Sequence, residues 1–318
     1  MSESISFAPQ PWLRSPHVQT VLSSRGVGGR GRRKLARAER ITIACRDGVR
    51  LQAHVDGHYM DAPLVILVHG WLGTASSSYL ERTAVALLEK GFNVARLLLR
   101  DHGDTSHLNV EPFNAARIEE VVDACNWLAA RFSRPTGLLG FSLGGNFVLR
   151  VATHPERSPR LQACFAVCPA IDPRAAVDAI DNGWFGYRRY FLRKWQRAFA
   201  AKQAAFPDRF DFAEAFALDT VAALTDYFVA NHTQFADADD YYSRYRLNDG
   251  ARSAPDMPTT ILVAADDPVI PLASVESLPT DWQSLVTVTR HGGHCAFLET
   301  PGRSALERLA PAFFAQLR

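Results

Sequence analysis

Residues Gly137 to Val148 read G-L-L-G-F-S-L-G-G-N-F-V. An apolar run (Leu138, Leu139, Phe141) stops at Ser142, and a helix-forming stretch begins once two glycines are passed. That is the pattern of a strand turning sharply into a helix. Gly140-Phe141-Ser142-Leu143-Gly144 has the form G-x-S-x-G, a nucleophile elbow. In so tight a turn the serine backbone is expected to be strained, and the positions two before and two after it leave no room for a side chain. The hydroxyl then stands at a helix N-terminus, where backbone N–H groups can receive a developing oxyanion. A lone pentapeptide also fits an ordinary glycine-rich turn, so the weight rests on what accompanies it.

Outward from the elbow, the chain alternates between buried strands and amphipathic helices. Pro63 to Gly70 is a nearly unbroken apolar run, as a strand covered on both faces requires. Leu80, Ala84, Leu87 and Leu88 recur at helical spacing from Ser78 to Lys90, and Gly91 stands where a helix-ending glycine belongs. Phe92 to Leu99, Thr136 to Phe141, Leu161 to Val167, Thr259 to Ala265 and Leu285 to Thr289 read as further strands. The face Ile118, Val121, Val122, Cys125, Leu128, Phe132 predicts a long helix, and Arg303 to Gln316 a last one. Glu39 to Cys45 and Val49 to Val55 alternate like a hairpin around Asp47-Gly48. The fold class is therefore α/β, a mostly parallel central sheet flanked by helices.

Between residues 174 and 257 the strands stop. Seventeen of the 33 aromatic residues fall between Trp184 and Tyr245, too many for a solvated loop, so this insertion must bury apolar surface against something. We expect a helical lid at 174–257, a core at 39–173 and 258–318, and a wrapping segment with a basic loop at 1–38. The opening segment carries three prolines between Phe7 and Leu22 and does not read as a regular element. Arg25, Arg30, Arg32, Arg33, Lys34, Arg37 and Arg40 are opposed only by Glu39, which leaves room for a peripheral membrane or anionic contact. The formal charge of +2 over 318 residues argues against nucleic acid as a partner. Five scattered cysteines without a C-x-x-C pair read as reduced thiols. With no signal-peptide pattern and no apolar run of membrane-spanning length, a cytoplasmic location is expected.

A serine hydroxyl is a poor nucleophile until a neighbouring base, itself oriented by a carboxylate, takes its proton. Asp266-Asp267-Pro268-Val269-Ile270-Pro271 follows a strand and supplies the acid. Asp267 is the choice and Asp266 the alternative. The next strand leads into His291-Gly292-Gly293-His294-Cys295, where His294 is the expected base and His291 the alternative. The oxyanion donors are expected to be the backbone amides of Leu143, next to the nucleophile, and Trp71, in H-G-W-L-G. No further His or Cys cluster completes a metal-ligand set, so neither metal nor cofactor is expected. Asp237, Asp239 and Asp240 read as a capped turn.

These residues carry a resemblance. The chain resembles the α/β-hydrolase superfamily and, more narrowly, its YheT-like branch, whose members are held to be esterases. The match rests on P-W-L-R-S-P-H-V-Q-T (Pro11–Thr20), L-V-H-G-W-L-G (Leu67–Gly73), G-F-S-L-G-G-N (Gly140–Asn146), A-D-D-Y-Y (Ala238–Tyr242), A-A-D-D-P-V-I-P (Ala264–Pro271) and G-G-H (Gly292–His294). It implies a triad of Ser142, Asp267 and His294 and hydrolysis of carboxylic esters, with phospholipid or acetyl esters among some relatives. The expected substrate is a small-molecule ester with an apolar acyl group. A thioesterase, and a lipid-like ligand-binding protein without catalysis, are the alternatives. Arg100-Asp101-His102-Gly103-Asp104 stands where many relatives carry an R-G-x-x-G loop, so details there are not carried over.

Overall fold

The computed structural model describes residues 7–23, 33–59, 61–132 and 134–318. Its centre is the run Leu64–Val68, all five residues buried. Alternate side chains of this strand enter different apolar clusters: Leu64, Ile66 and Val68 on one face, Val65 and Leu67 on the other. Burial on both faces is why the run carries no polar alternation.

Eight strands form one sheet in the order β1-β2-β4-β3-β5-β6-β7-β8. They are β1 (Glu39–Ala44), β2 (Arg50–Asp56), β3 (Leu64–Val68), β4 (Asn93–Leu98), β5 (Thr136–Phe141), β6 (Leu161–Val167), β7 (Thr259–Ala264) and β8 (Val286–Thr289). Strand β2 pairs antiparallel with β1 and with β4, and the remaining pairs are parallel. The β1–β2 turn passes through Asp47 and Gly48, both at positive φ. Helices α2 (Ser78–Glu89), α3 (Glu119–Arg131) and α4 (Leu143–Ala152) make the crossovers, and Gly91 ends the turn after α2 at φ 75°.

The stretch between β6 and β7 is helical: α5 (Pro173–Asn182), α6 (Phe185–Ala205), α7 (Val221–His232) and α8 (Ala238–Ser243). Asp237 caps α8 by accepting the Asp240 amide, the turn its sequence suggested. Two short helices, α9 (Leu272–Glu276) and α10 (Thr280–Gln283), lie between β7 and β8. No helix among the described residues is long and apolar enough to cross a membrane.

Two expectations need correction. The proline-bearing opening segment is not irregular: Pro11–Arg14 is a 3-10 turn and Pro16–Ser23 is a helix, α1. Pro16 sits at the helix start, where its missing N–H costs nothing. The last helix is shorter than its periodicity, α11 spanning Leu306–Phe314, because Arg303–Ser304 (β10) pairs with Leu298–Thr300 (β9) in a small second sheet. Part of the basic stretch, Arg25, Arg30 and Arg32 within residues 24–32, lies outside the described residues, whereas Arg33, Lys34, Arg37 and Arg40 lie inside them.

Candidate active site

Ser142 joins β5 to α4 at φ 54°, ψ −121°, a region costly for any residue with a side chain. Close packing of the glycines holds it there. A Cβ on Gly140 would lie 2.1 Å from the Gly144 carbonyl oxygen, and one on Gly144 would lie 2.3 Å from that of Val68. The Ser142 amide donates to the Val167 carbonyl at 2.9 Å, locking the elbow to the neighbouring strand.

His294 and Asp267 reach the same end of the sheet from β8 and β7. His294 Nε2 is 3.0 Å from Ser142 Oγ, and its Nδ1 is 2.9 Å from Asp267 Oδ2. The Asp267 side chain is 2% exposed, and its Oδ1 accepts the amides of Val269 and Ile270 at 2.8 and 3.0 Å. That turn fixes the carboxylate before the histidine arrives. Burial disfavours a charged His294, but the adjoining Asp267 carboxylate outweighs it, and the His294 pKa is raised above its ordinary value.

The two alternative residues meet each other. Asp266 Oδ2 lies 3.4 Å from His291 Nδ1, while its Oδ1 accepts the Gly293 amide at 2.9 Å. Asp266 therefore braces the loop that presents His294.

Helix α1 clamps the same loop. Thr20 Oγ1 accepts the His294 amide at 3.0 Å, and a Cβ on Gly293 would fall 2.7 Å from the Pro16 carbonyl oxygen. Gln19, fully buried, donates to the Leu13 and Leu298 carbonyls and accepts the Leu298 amide. His17 Nδ1 is 2.9 Å from the Tyr187 hydroxyl on α6. The sequence displayed this motif, but its prolines concealed that it supports the base loop.

The loop after β3 lies against the elbow, for a Cβ on Gly70 would be 3.1 Å from the Ser142 Cβ. Among the described residues no protein acceptor is taken by the Trp71 or Leu143 amide. Neighbours hold the loop on three sides: Tyr79 Oη accepts the Gly70 amide at 3.0 Å, His102 Nε2 accepts the Leu72 amide at 3.0 Å, and Lys194 Nζ donates to the Leu72 carbonyl at 2.9 Å. Leu72 itself is at φ 56°. Burial pushes the His102 pKa down to about 4, so the ring is neutral, with Nδ1 donating to the Arg100 carbonyl at 2.7 Å. Tyr79, His102 and Lys194 were missed as site residues. A histidine just past the end of a buried strand was the one available signal.

A cavity of about 990 Å³ opens over Ser142 and His294, walled by Trp71, Tyr187, Phe191 and Cys295. Trp71 stacks on Phe191 at 5.6 Å and meets Trp195 edge-on at 4.8 Å. Further along α6, Lys202 is buried against the core and donates to Asp101 Oδ1 and to the carbonyls of Ser106 and Asn109. The insertion is thus pinned to the loops that follow β3 and β4. The Cys168 thiol, the Cys295 thiol and His294 also gather here, their donor atoms within 4.8 Å of one another. The scattered cysteine spacing gave no sign of this cluster.

A hydroxyl facing an imidazole backed by a carboxylate can be deprotonated as it attacks a carbonyl. Fold and site together define a class. Residues 63–301 match the model of the alpha/beta hydrolase fold, and the chain belongs to that family. It is 27% identical over 249 residues to the Escherichia coli (strain K12) protein named "Putative esterase YheT", covering 74% of this chain and 71% of that one. It is 24% identical over 250 residues to the Caenorhabditis elegans protein abhd-3.2, covering 76% of this chain and 66% of the other. Among solved structures, the Pyrococcus furiosus esterase Pf2001 superposes with a TM-score of 0.59 at 15% identity, covering 92% of this chain and 98% of its own.

Proposed function

We propose that this protein is a serine hydrolase that cleaves carboxylic esters bearing an apolar acyl group, through an acyl-enzyme. The observation that carries the reading is the unbroken run from Asp267 through His294 to Ser142 Oγ, with contacts of 2.9 and 3.0 Å, opening on an aromatic-walled cavity. His294 Nε2 takes the Ser142 proton as Oγ bonds to the ester carbonyl carbon. The oxyanion receives the amides of Trp71 and Leu143, and the alcohol departs with the proton that His294 returns. Water then gives a proton to His294 and attacks the acyl carbon, releasing the acid and restoring the serine. Asp267 stays ionised throughout and holds the imidazole in the required tautomer. Residues 174–257 serve as the lid, and Trp71, Tyr187 and Phe191 receive the acyl chain.

The experiment is hydrolysis of p-nitrophenyl esters of increasing acyl length, beside covalent labelling by a fluorophosphonate probe. Turnover and labelling are expected in the native chain and lost in Ser142→Ala. Hydrolysis undiminished in that variant would sink the assignment, and a catalytically inert lipid-binding protein would leave the probe unreacted.

The rim of the cavity supports a lipid surface as the place where substrate is met. Trp184 and Tyr190, which line the cavity, are exposed with Phe185 beside them, and Arg189, Arg193 and Arg197 form an exposed stripe four residues apart on α6, a helix without acidic residues. Such a face suits an anionic membrane. Co-sedimentation with phosphatidylglycerol vesicles, weakened by Arg193→Glu and absent with phosphatidylcholine alone, is the expected result.

A further inference from the structure

Three soft donors converge beside the serine from two strand ends. Cys168 follows β6, while His294 and Cys295 follow β8, and one donor atom of each lies within 4.8 Å of the others. Cys295 Sγ is 3.9 Å from His294 Nε2, the nitrogen that faces Ser142 Oγ at 3.0 Å. Neither cysteine is in a disulfide. The two thiols also contact each other, and their contacts to backbone are weak ones, Cys168 Sγ to the Gly293 carbonyl at 3.9 Å and Cys295 Sγ to the Val167 carbonyl at 3.6 Å. Both thiols are therefore available to a stronger partner.

Two sulfurs and one imidazole make a ligand set suited to a soft divalent ion such as Zn²⁺, with a fourth position for an oxygen. The Asp267 carboxylate at His294 Nδ1 completes the carboxylate–histidine arrangement that orients a metal-binding imidazole. It favours the tautomer with a free electron pair on Nε2, which is the pair that removes the serine proton. A cation and the serine hydroxyl would thus compete for the same two electrons. Tetrahedral ligation needs donors about 3.5 Å apart, a contraction of roughly 1 Å from the present spread. Cys295 and His294 line the cavity while Cys168 is fully buried, so an ion reaches the site from the side of His294 and Cys295.

We propose that Cys168, Cys295 and His294 form an inhibitory site for a Zn²⁺-class cation, which silences the hydrolase by occupying the Nε2 electron pair. The silencing rests on the reading of Ser142 and His294 given above, whereas the binding does not. Each thiol releases one proton to solvent as its sulfur–metal bond forms, His294 contributes its pair without losing a proton, and nothing is oxidised or reduced.

Titration of the full chain with Cd²⁺, followed by the ultraviolet thiolate-to-cadmium charge-transfer band, tests the binding directly. One saturable equivalent is expected in the native chain and in Cys45→Ser, and none in Cys168→Ser or Cys295→Ser. In parallel, Zn²⁺ should inhibit ester hydrolysis reversibly with a chelator. Cys168→Ser, or Cys168→Ala if the serine variant does not fold, should keep its basal rate and need at least tenfold more Zn²⁺. A native chain with no saturable band, or a band and inhibition unchanged in Cys168→Ser, would overturn the proposal. Saturable cadmium binding without zinc inhibition would overturn the inhibitory role. If the chain hydrolyses no ester, the cadmium titration still reads the site, and only the hydrolase reading falls.

Discussion

In the proposed mechanism Ser142 gains a base only while His294 is uncharged, and the Asp267 carboxylate that aims the ring also makes it easier to protonate. The acid limb of kcat/KM against pH is therefore expected above the ordinary histidine value of 6.5, with activity falling as pH drops through it. Asp267→Asn should lower kcat by about 10³- to 10⁴-fold and move that limb to lower pH, a paired outcome that pH–rate profiles of both proteins would check. A lower rate with an unmoved limb would point to lost packing instead. At this scale the sequence was informative in type but not in direction. Asp266 and Asp267 are adjacent and chemically identical, and only the turn formed by the Val269 and Ile270 amides aims one carboxylate at the histidine while the other braces Gly293.

At the level of elements, the buried strands were readable because burial on both faces leaves a run such as L-V-I-L-V with no alternative use. Helix α1 was not, because eight residues with one packed apolar pair, Val18 and Leu22, are too short to show a period, and the helix is held by tertiary contacts that also run through Gln19 and Thr20. Gln19→Ala should then cost about 1 to 3 kcal/mol, since the buried Leu298 amide loses its acceptor, and a lowered denaturation midpoint would show it. The loop after β3, which carries the proposed oxyanion donor Trp71, poses a similar question across elements, because Lys194 on α6 reaches the Leu72 carbonyl. Lys194→Met is expected to reduce kcat by about tenfold to a hundredfold with KM little changed, the mark of a donor displaced by a fraction of an ångström. Steady-state kinetics separate the two parameters, and a change confined to KM would place Lys194 in substrate binding alone.

For the whole molecule, several histidines are kept neutral by the fold. Burial is the main cause for His102 and His54, each pushed down to about 4, and for His69, lowered well below its ordinary value. At His102 and His54 the unfolded chain takes up a proton near 6.5 and the folded chain only near 4, so protonation in that window favours unfolding. Stability is expected to be full above pH 6.5 and to fall as pH drops towards 4, with His102 alone worth on the order of 3 kcal/mol. Urea midpoints measured across that range would test the slope, which should be shallower in His102→Asn.

The segment around α1 touches both the histidine loop, through Thr20, and the insertion, through His17 and Tyr187. Swinging α6 outward to admit a bulky guest would have to part His17 from Tyr187, and the strain would fall on the short helix that steadies the base. In the proposed hydrolase, entrance and proton acceptor are in this sense geared together through one short helix.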